Sequence, residues 1–187
     1  MVEALTASIF LNRGTPPRLL TLTVLAGLSA LAMNLMLPSL PQMARDFGTS
    51  YGLMQLAVSL YLALSAVLQI VIGPISDRFG RRPVMLWGLV LFLLATVGTL
   101  LAPNVTVFLG FRMAQAVISV GMVLSRAVVR DMVEEAKTAS MIGYVTMGMS
   151  LVPMVGPVIG GALEEAFGWR SNFLMLLGLG LLATALT

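Results

Sequence analysis

Apolar stretches of about 20 residues recur along the whole chain, separated by short segments that contain charged residues or proline. An α-helix of that length can cross the hydrocarbon core of a bilayer. Of the 187 residues, 58% are hydrophobic and only 10% are charged, whereas about a quarter of the residues in a soluble domain are charged. The sequence therefore predicts an all-α membrane protein with six transmembrane helices.

The predicted spans are 19–40, 51–74, 83–102, 105–128, 138–162 and 171–187, and residues 1–18 precede them as a short N-terminal segment. Pro38 and Pro41 are expected to end the first span, and Gly73-Pro74 the second. The last span reaches Thr187 after 17 residues, which is shorter than the bilayer core. We expect the chain to end inside or at the edge of its sixth helix. The alternative is a short helix in a locally thinned bilayer.

Basic residues are distributed unequally between the two sides of these spans. One side carries Arg13, Arg18, Arg78, Arg81, Arg82, Arg130 and Lys137, and the other only Arg45 and Arg170. The positive-inside rule then predicts that both termini are cytoplasmic. The net charge of +3 is explained by this topology, so no nucleic-acid partner is expected.

The chain contains no cysteine and no histidine. This excludes disulfides, thiolate nucleophiles, Cys/His metal sites and histidine acid–base chemistry. No nucleophile–base pair is recognisable elsewhere in the sequence. We expect neither an enzyme nor a bound metal or cofactor.

Residues 73–83, between the second and third spans, form the most specific local pattern. Gly80 permits a tight turn, and Asp77 can reach a nearby arginine such as Arg81. Such a cluster could hold one conformation of the protein. The alternative is that the arginines of this loop only set the membrane topology.

The order of glycine, Asp-Arg and Gly-Arg-Arg in this loop resembles the signature loop of the major facilitator superfamily. The residues that carry the resemblance are Gly73, Asp77, Arg78, Gly80, Arg81 and Arg82. The resemblance covers nearly all of residues 19–187 and implies the amino-terminal half of that fold, two three-helix units related by an inverted repeat. In the family, such loop residues hold the two halves together in the outward-facing state, a role that the resemblance implies for Asp77 and Arg81.

Arg112 lies about eight residues inside the fourth span, where a charge is expensive. A polar stripe at helical spacing runs through Arg112, Gln115, Ser119, Met122 and Arg126, so this face should point into the bundle or a water-filled cavity. The alternative is that Arg112 extends to the interface. Residues 111–116 also resemble the family's Arg-x-x-Gln-Gly motif, with Ala116 where glycine is usual. That resemblance implies a role for Arg112 in coupling or in binding substrate charge.

The fifth span is interrupted by two prolines and carries glycines in GxxxG spacing. The residues concerned are Pro153, Gly156, Pro157, Gly160 and Gly161. Close helix packing and a bending or gating role are both consistent with this pattern. The run is similar to a motif of antiporters and drug exporters in the superfamily, which favours export.

Together with residues 34–41 and 126–131, these motifs resemble most the bicyclomycin-resistance-type multidrug exporters, and such a resemblance implies a bacterial-type inner membrane. That branch often carries an acidic residue where this chain has Asn34. All eight acidic residues fall in predicted loops or termini. Proton coupling would therefore need a carboxylate elsewhere or a loop acid that moves into the pathway. The alternative is facilitated transport without coupling.

The expected function is export of small, lipophilic, drug-like molecules by alternating access, with Asn34, Arg112, Gln115 and Ser119 along the pathway. The 14 methionines could line an adaptable cavity or simply fill the core. The partner is either a carboxy-terminal half or a second copy of this chain. The rival hypothesis is a transport-inactive membrane scaffold.

Overall fold

The computed structural model of the protein describes the backbone of residues 19–132 and 135–187, and in these ranges it is helical with short turns. The helices are α1 (Leu19–Asn34), α2 (Leu40–Asp46), α3 (Tyr51–Phe79), α4 (Arg81–Leu100), α5 (Val105–Gln115), α6 (Ser119–Met132), α7 (Glu135–Phe167) and α8 (Arg170–Leu186). A 3₁₀ turn, Ala116–Ile118, joins α5 to α6. The predicted N-terminal segment, residues 1–18, lies outside the described residues.

Among the residues that the structure describes, three segments are long and apolar enough to cross a membrane: Tyr51–Phe79, Arg81–Leu100 and the run Val105–Val128. Two further helices, Thr21–Asn34 and Arg170–Leu186, are apolar but shorter. The fold is thus an all-helical membrane fold. Six spans and an inverted repeat stay predictions.

The first predicted span, 19–40, is wrong at its end, because α1 stops at Asn34 and a turn leads into α2. Proline disfavours helical backbone in the residue before it, which here is Leu37. Pro41 instead lies in the first turn of α2, where the missing N–H leaves no hydrogen bond unmade. The first helix therefore ends earlier than predicted, and a second, short helix begins near the predicted end of the span.

Gly73-Pro74 does not end the second span, because α3 continues through Pro74 to Phe79. The residue before a proline usually clashes through its Cβ, and Gly73 has none. The hydroxyl of Ser76 also donates to the carbonyl oxygen of Gly73 at 2.8 Å. Residues 73–83, predicted as a loop, are consequently the end of α3 and the start of α4.

Two glycines separate consecutive helices with almost no loop. Gly80, between α3 and α4, has a φ of 88°, and Gly168, between α7 and α8, has a φ of 80°. Residues with a Cβ rarely adopt these conformations. Polar caps start two other helices, as the Ser50 hydroxyl accepts from the N–H of Leu53 and the Asn104 side chain from that of Val107.

The helices pack around α1, which contacts α6, α7 and α8, and around α4, which contacts α5 and α8. α3 contacts α5 and α6. The buried apolar core includes Leu22, Leu25, Leu35, Phe92, Phe108 and Leu124. The methionines are divided, since Met43, Met54 and Met85 are buried while Met147 and Met154 are exposed.

Aromatic rings close one end of the bundle. Phe108 contacts the rings of Phe47, Trp169 and Phe173 at centroid distances of 5.3, 6.0 and 5.7 Å. The indole N–H of Trp169 donates to the carboxylate of Asp46 at 2.8 Å. This cluster connects the end of α2 to the starts of α5 and α8. None of its residues belongs to the α3–α4 junction.

α7 approaches the end of α1 through small residues. A Cβ added to Gly160 would overlap the carbonyl group of Leu35, and one added to Gly156 would come 3.2 Å from Cβ of Asn34. The obstacle at Gly160 is main chain, which cannot rotate away as a side chain can. The contact between α7 and α1 therefore requires glycine at residue 160.

We expect Gly160→Ala to lower the free energy of unfolding by about 1–3 kcal/mol, because the added methyl group separates α7 from α1. Gly178→Ala in α8 is the matched control, since its Cβ would meet nothing within 4 Å. Thermal unfolding in detergent measures both. Equal midpoints for the two variants would contradict the close packing at Gly160.

Candidate functional site

Arg112 is the centre of a buried polar cluster. Its side chain is 0% exposed, and its Nη1 donates to Oε1 of Gln115 at 2.9 Å. Its Nη2 donates to the carbonyl oxygen of Ala32 in α1 at 2.8 Å. The guanidinium group is therefore held inside the bundle and does not extend to the membrane interface.

Tyr61 of α3 covers one face of this guanidinium group. The carbon Cζ of Arg112 lies 4.1 Å from the centroid of the Tyr61 ring, and the tyrosine is only 3% exposed. A cation over an aromatic ring is stabilised by about 2 kcal/mol when both groups are desolvated. α3 thus contributes a neutral but attractive surface to the buried charge.

The amide of Gln115 extends the cluster to α4. Its Nε2 donates to Oγ1 of Thr96 at 2.8 Å, and the Thr96 hydroxyl donates to the carbonyl oxygen of Phe92 at 2.7 Å. Arg112 and Gln115 come from α5, Ala32 from α1 and Tyr61 from α3. The cluster consequently fixes four helices relative to one another.

The positive charge of Arg112 has no negative partner in this cluster. The contacts of its guanidinium group are with the neutral oxygens of Gln115 and Ala32 and with the ring of Tyr61. Three buried polar atoms in the same region make no hydrogen bond with any described residue: Nε of Arg112 and the hydroxyls of Ser65 and Ser119. An uncompensated buried charge is expensive and is typically retained for function.

The polar stripe predicted on the fourth span is only partly maintained. Arg112, Gln115 and Ser119 are buried, whereas Met122 is half-buried and Arg126 is exposed. The 3₁₀ turn between Gln115 and Ser119 interrupts the α-helical spacing on which the stripe was based. The buried face beyond it instead includes Leu124, Ser125 and Val128.

Asn34 is the last residue of α1 and lies apart from the hydrogen bonds of Arg112. Its amide nitrogen donates to the carbonyl oxygen of Ala30 in its own helix at 2.8 Å. It is half-buried, with its Cβ facing Gly156. In this conformation Asn34 contributes to helix packing. The groups that bind the guanidinium of Arg112 are instead Ala32, Gln115 and Tyr61.

The residues of the predicted signature loop lie together at the α3–α4 junction. Nη2 of Arg81 is 3.5 Å from Oδ1 of Asp77, with side chains 24% and 69% exposed respectively. Nε of Arg82 donates to the carbonyl oxygen of Thr187 at 3.0 Å. Cζ of Arg78 lies 5.4 Å from the centroid of the Phe79 ring. An ion pair this exposed contributes little stability. Its relevance is that it lies at the junction of two helices.

The prolines of the predicted antiporter-type motif lie inside one helix. Both Pro153 and Pro157 are within α7, which has 33 residues, whereas the sequence suggested an interruption. Gly161 follows Gly160 on the face toward α1, where an added Cβ would come 3.8 Å from Cβ of Pro38. The motif therefore lies against the turn after α1.

The sequence did not connect Tyr61 to Arg112. Thr96 was not named at all. Their contacts cross between helices far apart in the chain, so spacing within one helix carries no signal for them. The sequence does not show that Tyr61 is buried against the guanidinium group of Arg112.

We expect Gln115→Leu to lower the free energy of unfolding by about 1.5–3 kcal/mol, because Nη1 of Arg112 then loses a charge-assisted hydrogen bond. Gln69→Leu on α3 is the control, since Gln69 is exposed. Thermal unfolding of both variants in the same detergent measures the difference. A Gln115 variant as stable as the Gln69 variant would show that this hydrogen bond contributes nothing.

Comparison with known proteins places these features in a family. The profile described as Major Facilitator Superfamily matches residues 22–187. The chain is 37% identical over 160 residues to a chloramphenicol resistance protein of Pseudomonas aeruginosa, covering 84% of this chain and 38% of that protein. It is 35% identical over 160 residues to multidrug resistance protein D of Escherichia coli, covering 85% and 41%.

Multidrug resistance protein MdtM of Salmonella typhimurium is similar to the same extent, with 35% identity over 158 residues, 82% of this chain and 37% of that protein. The chain thus spans about two fifths of the length of the curated relatives it matches. The resemblance inferred from the glycines and charges of residues 73–83 is confirmed by these matches. With its apolar helices, this chain is an integral membrane protein that belongs to the Major Facilitator Superfamily.

Proposed function

We propose that this chain forms one half of an exporter that moves small, lipophilic, drug-like molecules across a bacterial inner membrane by alternating access. The family match and the names of the relatives, which are chloramphenicol and multidrug resistance proteins, support this proposal. Proteins of this family are generally transporters and not enzymes. Both termini are proposed to be cytoplasmic, since the basic residues of the α3–α4 junction would lie on that side.

The observation that carries the proposal is the uncompensated charge of Arg112. In the conformation described here the guanidinium group is bound only by neutral groups, at Ala32, Gln115 and Tyr61. An acidic group entering from outside this half, on a substrate or on another part of the protein, would compete strongly for those hydrogen bonds. Arg112 is therefore proposed to alternate between this neutral cluster and an anionic partner as the pathway opens to one side of the membrane and then to the other.

Arginine stays protonated at any physiological pH, so Arg112 cannot itself carry the coupling proton. The described carboxylates Asp46, Asp77, Glu164 and Glu165 lie in the last turns of α2, α3 and α7 rather than mid-helix. Asn34 cannot be protonated at all. If export is proton-coupled, the carrier is proposed to be a carboxylate outside this half.

The α3–α4 junction is proposed to act as the conformational gate. Asp77 is 69% exposed despite its contact with Arg81, so its carboxylate is accessible to another part of the protein. Gly80 fixes the angle between the two helices through its positive φ. The prolines of α7 are proposed to let that helix bend while Gly160 maintains its contact with α1.

The second half of the transporter is proposed to be a carboxy-terminal segment of similar size, because the curated relatives are more than twice as long as their matched regions. A homodimer and an inactive scaffold are the alternatives. Apolar side chains exposed on α3 and α7, among them Ile70 at 78% and Met154 at 72%, provide surfaces for lipid or for either partner.

Arg112→Ala is expected to reduce export of a lipophilic fluorescent substrate from cells to background, because the variant has no charge to bind an anionic partner. Arg112→Lys should reduce export by about tenfold, since an ammonium group cannot keep both hydrogen bonds of the guanidinium. The control is Arg170→Ala, which should export normally, because Arg170 is an exposed residue at the start of α8 and is not part of the Arg112 cluster. All rates are compared at equal protein level in the membrane.

Unchanged export by Arg112→Ala would exclude a transport role for this residue. Loss of export by both Arg112→Ala and Arg170→Ala would point to a general loss of folded protein. In that case, partial export by Arg112→Lys would still show that a positive charge at residue 112 is needed. A wild-type protein that exports nothing would favour the scaffold.

The intact mass of the polypeptide in its native membranes is expected to be about twice the 19.9 kDa of these residues, as a covalently attached second half requires. An antibody against the first residues of the chain identifies the band. A band near 19.9 kDa that crosslinks to a dimer would instead support the homodimer, and one that does not crosslink would support the scaffold.

A further inference from the structure

An apolar groove lies at the α3–α4 junction, away from the Arg112 cluster. It has a volume of about 340 Å³, with walls formed by Ile75 and Phe79 of α3 and by Trp87 and Leu91 of α4. Val117 and Val120, on either side of the end of the 3₁₀ turn, form its floor. None of these side chains contributes to the hydrogen bonds around Arg112.

The walls of the groove are unusually open for such large apolar side chains. Trp87 is 68% exposed, Phe79 63% and Leu91 51%. Tryptophan is enriched where a membrane protein meets the interface between hydrocarbon and water. The groove thus begins at a helix end and runs toward the hydrocarbon.

Positive charge surrounds the end of the groove. Arg78, Arg81 and Arg82 lie there with Asp77, so three positive charges and one negative charge leave a net charge of +2. Arg81 contacts Asp77 and Arg82 donates to Thr187, whereas the guanidinium of Arg78 lies over Phe79, a wall of the groove itself. The start of α4 adds the partial positive charge of a helix N-terminus.

The lining of the groove favours an apolar occupant. The residues that line it are apolar, and the groove has a volume of about 340 Å³. An extended hydrocarbon chain matches this lining, and the basic residues at the end of the groove match an anionic headgroup.

We propose that this groove binds one acyl chain of an anionic phospholipid, whose phosphate group is recognised by Arg78. Basic sites between transmembrane helices bind anionic headgroups in this way, and the apolar chain supplies the remaining affinity. The site is separate from the Arg112 cluster, and its occupancy can be measured without transport. Zwitterionic lipids bind it more weakly, because their headgroups carry no net negative charge.

Trp87 allows the proposal to be tested directly in the full protein. The protein is reconstituted in phosphatidylcholine vesicles with a minor fraction of lipid that is brominated on its acyl chains, either phosphatidylglycerol or phosphatidylcholine. Bromine quenches tryptophan at contact. The emission of Trp87 is the difference between the wild-type protein and Trp87→Phe.

We expect brominated phosphatidylglycerol to occupy the site about fivefold more than brominated phosphatidylcholine at equal fraction, the ratio expected for one arginine at a membrane surface. Arg78→Gln should reduce this ratio to about one, and Arg78→Lys should retain it. Arg170→Gln is the matched control, because Arg170 is an exposed arginine that also lies over an aromatic ring, that of the buried Trp169 at 4.4 Å, and the variant should leave the ratio unchanged.

Equal quenching by the two lipids in the wild-type protein would overturn the proposal, as would a preference that persists in Arg78→Gln. Quenching by neither lipid would mean that a protein segment covers the groove, which also overturns it. These readouts need no transport, so they separate this proposal from the proposed export function.

Discussion

The guanidinium group of Arg112 determines how the central helices are arranged. Its two hydrogen bonds, to Ala32 of α1 and Gln115 of α5, and the ring of Tyr61 from α3 bring three helices to one point. Gln115 then extends the connection to Thr96 of α4. Because hydrocarbon offers no competing water, each of these contacts is obligatory while the charge stays at this depth. Moving any one of the helices requires a replacement partner for Arg112.

Glycine governs the remaining geometry in two distinct ways. At Gly80 and Gly168 a positive φ turns the chain between helices with almost no loop, which restricts the relative placement of α3 with α4 and of α7 with α8. At Gly160 the absence of Cβ lets the main chains of α7 and α1 meet. The first kind stabilises turns and the second stabilises an interface. Both leave the polar cluster around Arg112 undisturbed.

Sequence reasoning found what depends on one helix at a time. Hydrophobic length predicted the membrane character, and the order of glycines and charges in residues 73–83 predicted the family. It placed Arg112 correctly inside the bundle because a charge in an apolar run requires a protein environment. It failed where two local rules compete, as at Pro74, where Gly73 removes the clash that normally ends a helix. It also failed for Tyr61 and Thr96, whose partners lie on other helices.

The 3₁₀ turn at Ala116–Ile118 changes the angular position of the side chains of α6 relative to those of α5. A 3₁₀ residue turns about 120° and rises about 2.0 Å, against about 100° and 1.5 Å in an α-helix. Three such residues therefore rotate α6 by about 60° beyond the α-helical continuation of α5 and displace it by about 1.5 Å. On a continuous α-helix Arg126 would lie about 40° from the direction of Arg112, and the turn changes this to about 20° on the other side. Arg126 is nevertheless exposed while Leu124 and Ser125 are buried, so α6 meets different surroundings from α5. The side chains of α5 and α6 therefore cannot be placed on one continuous helical wheel.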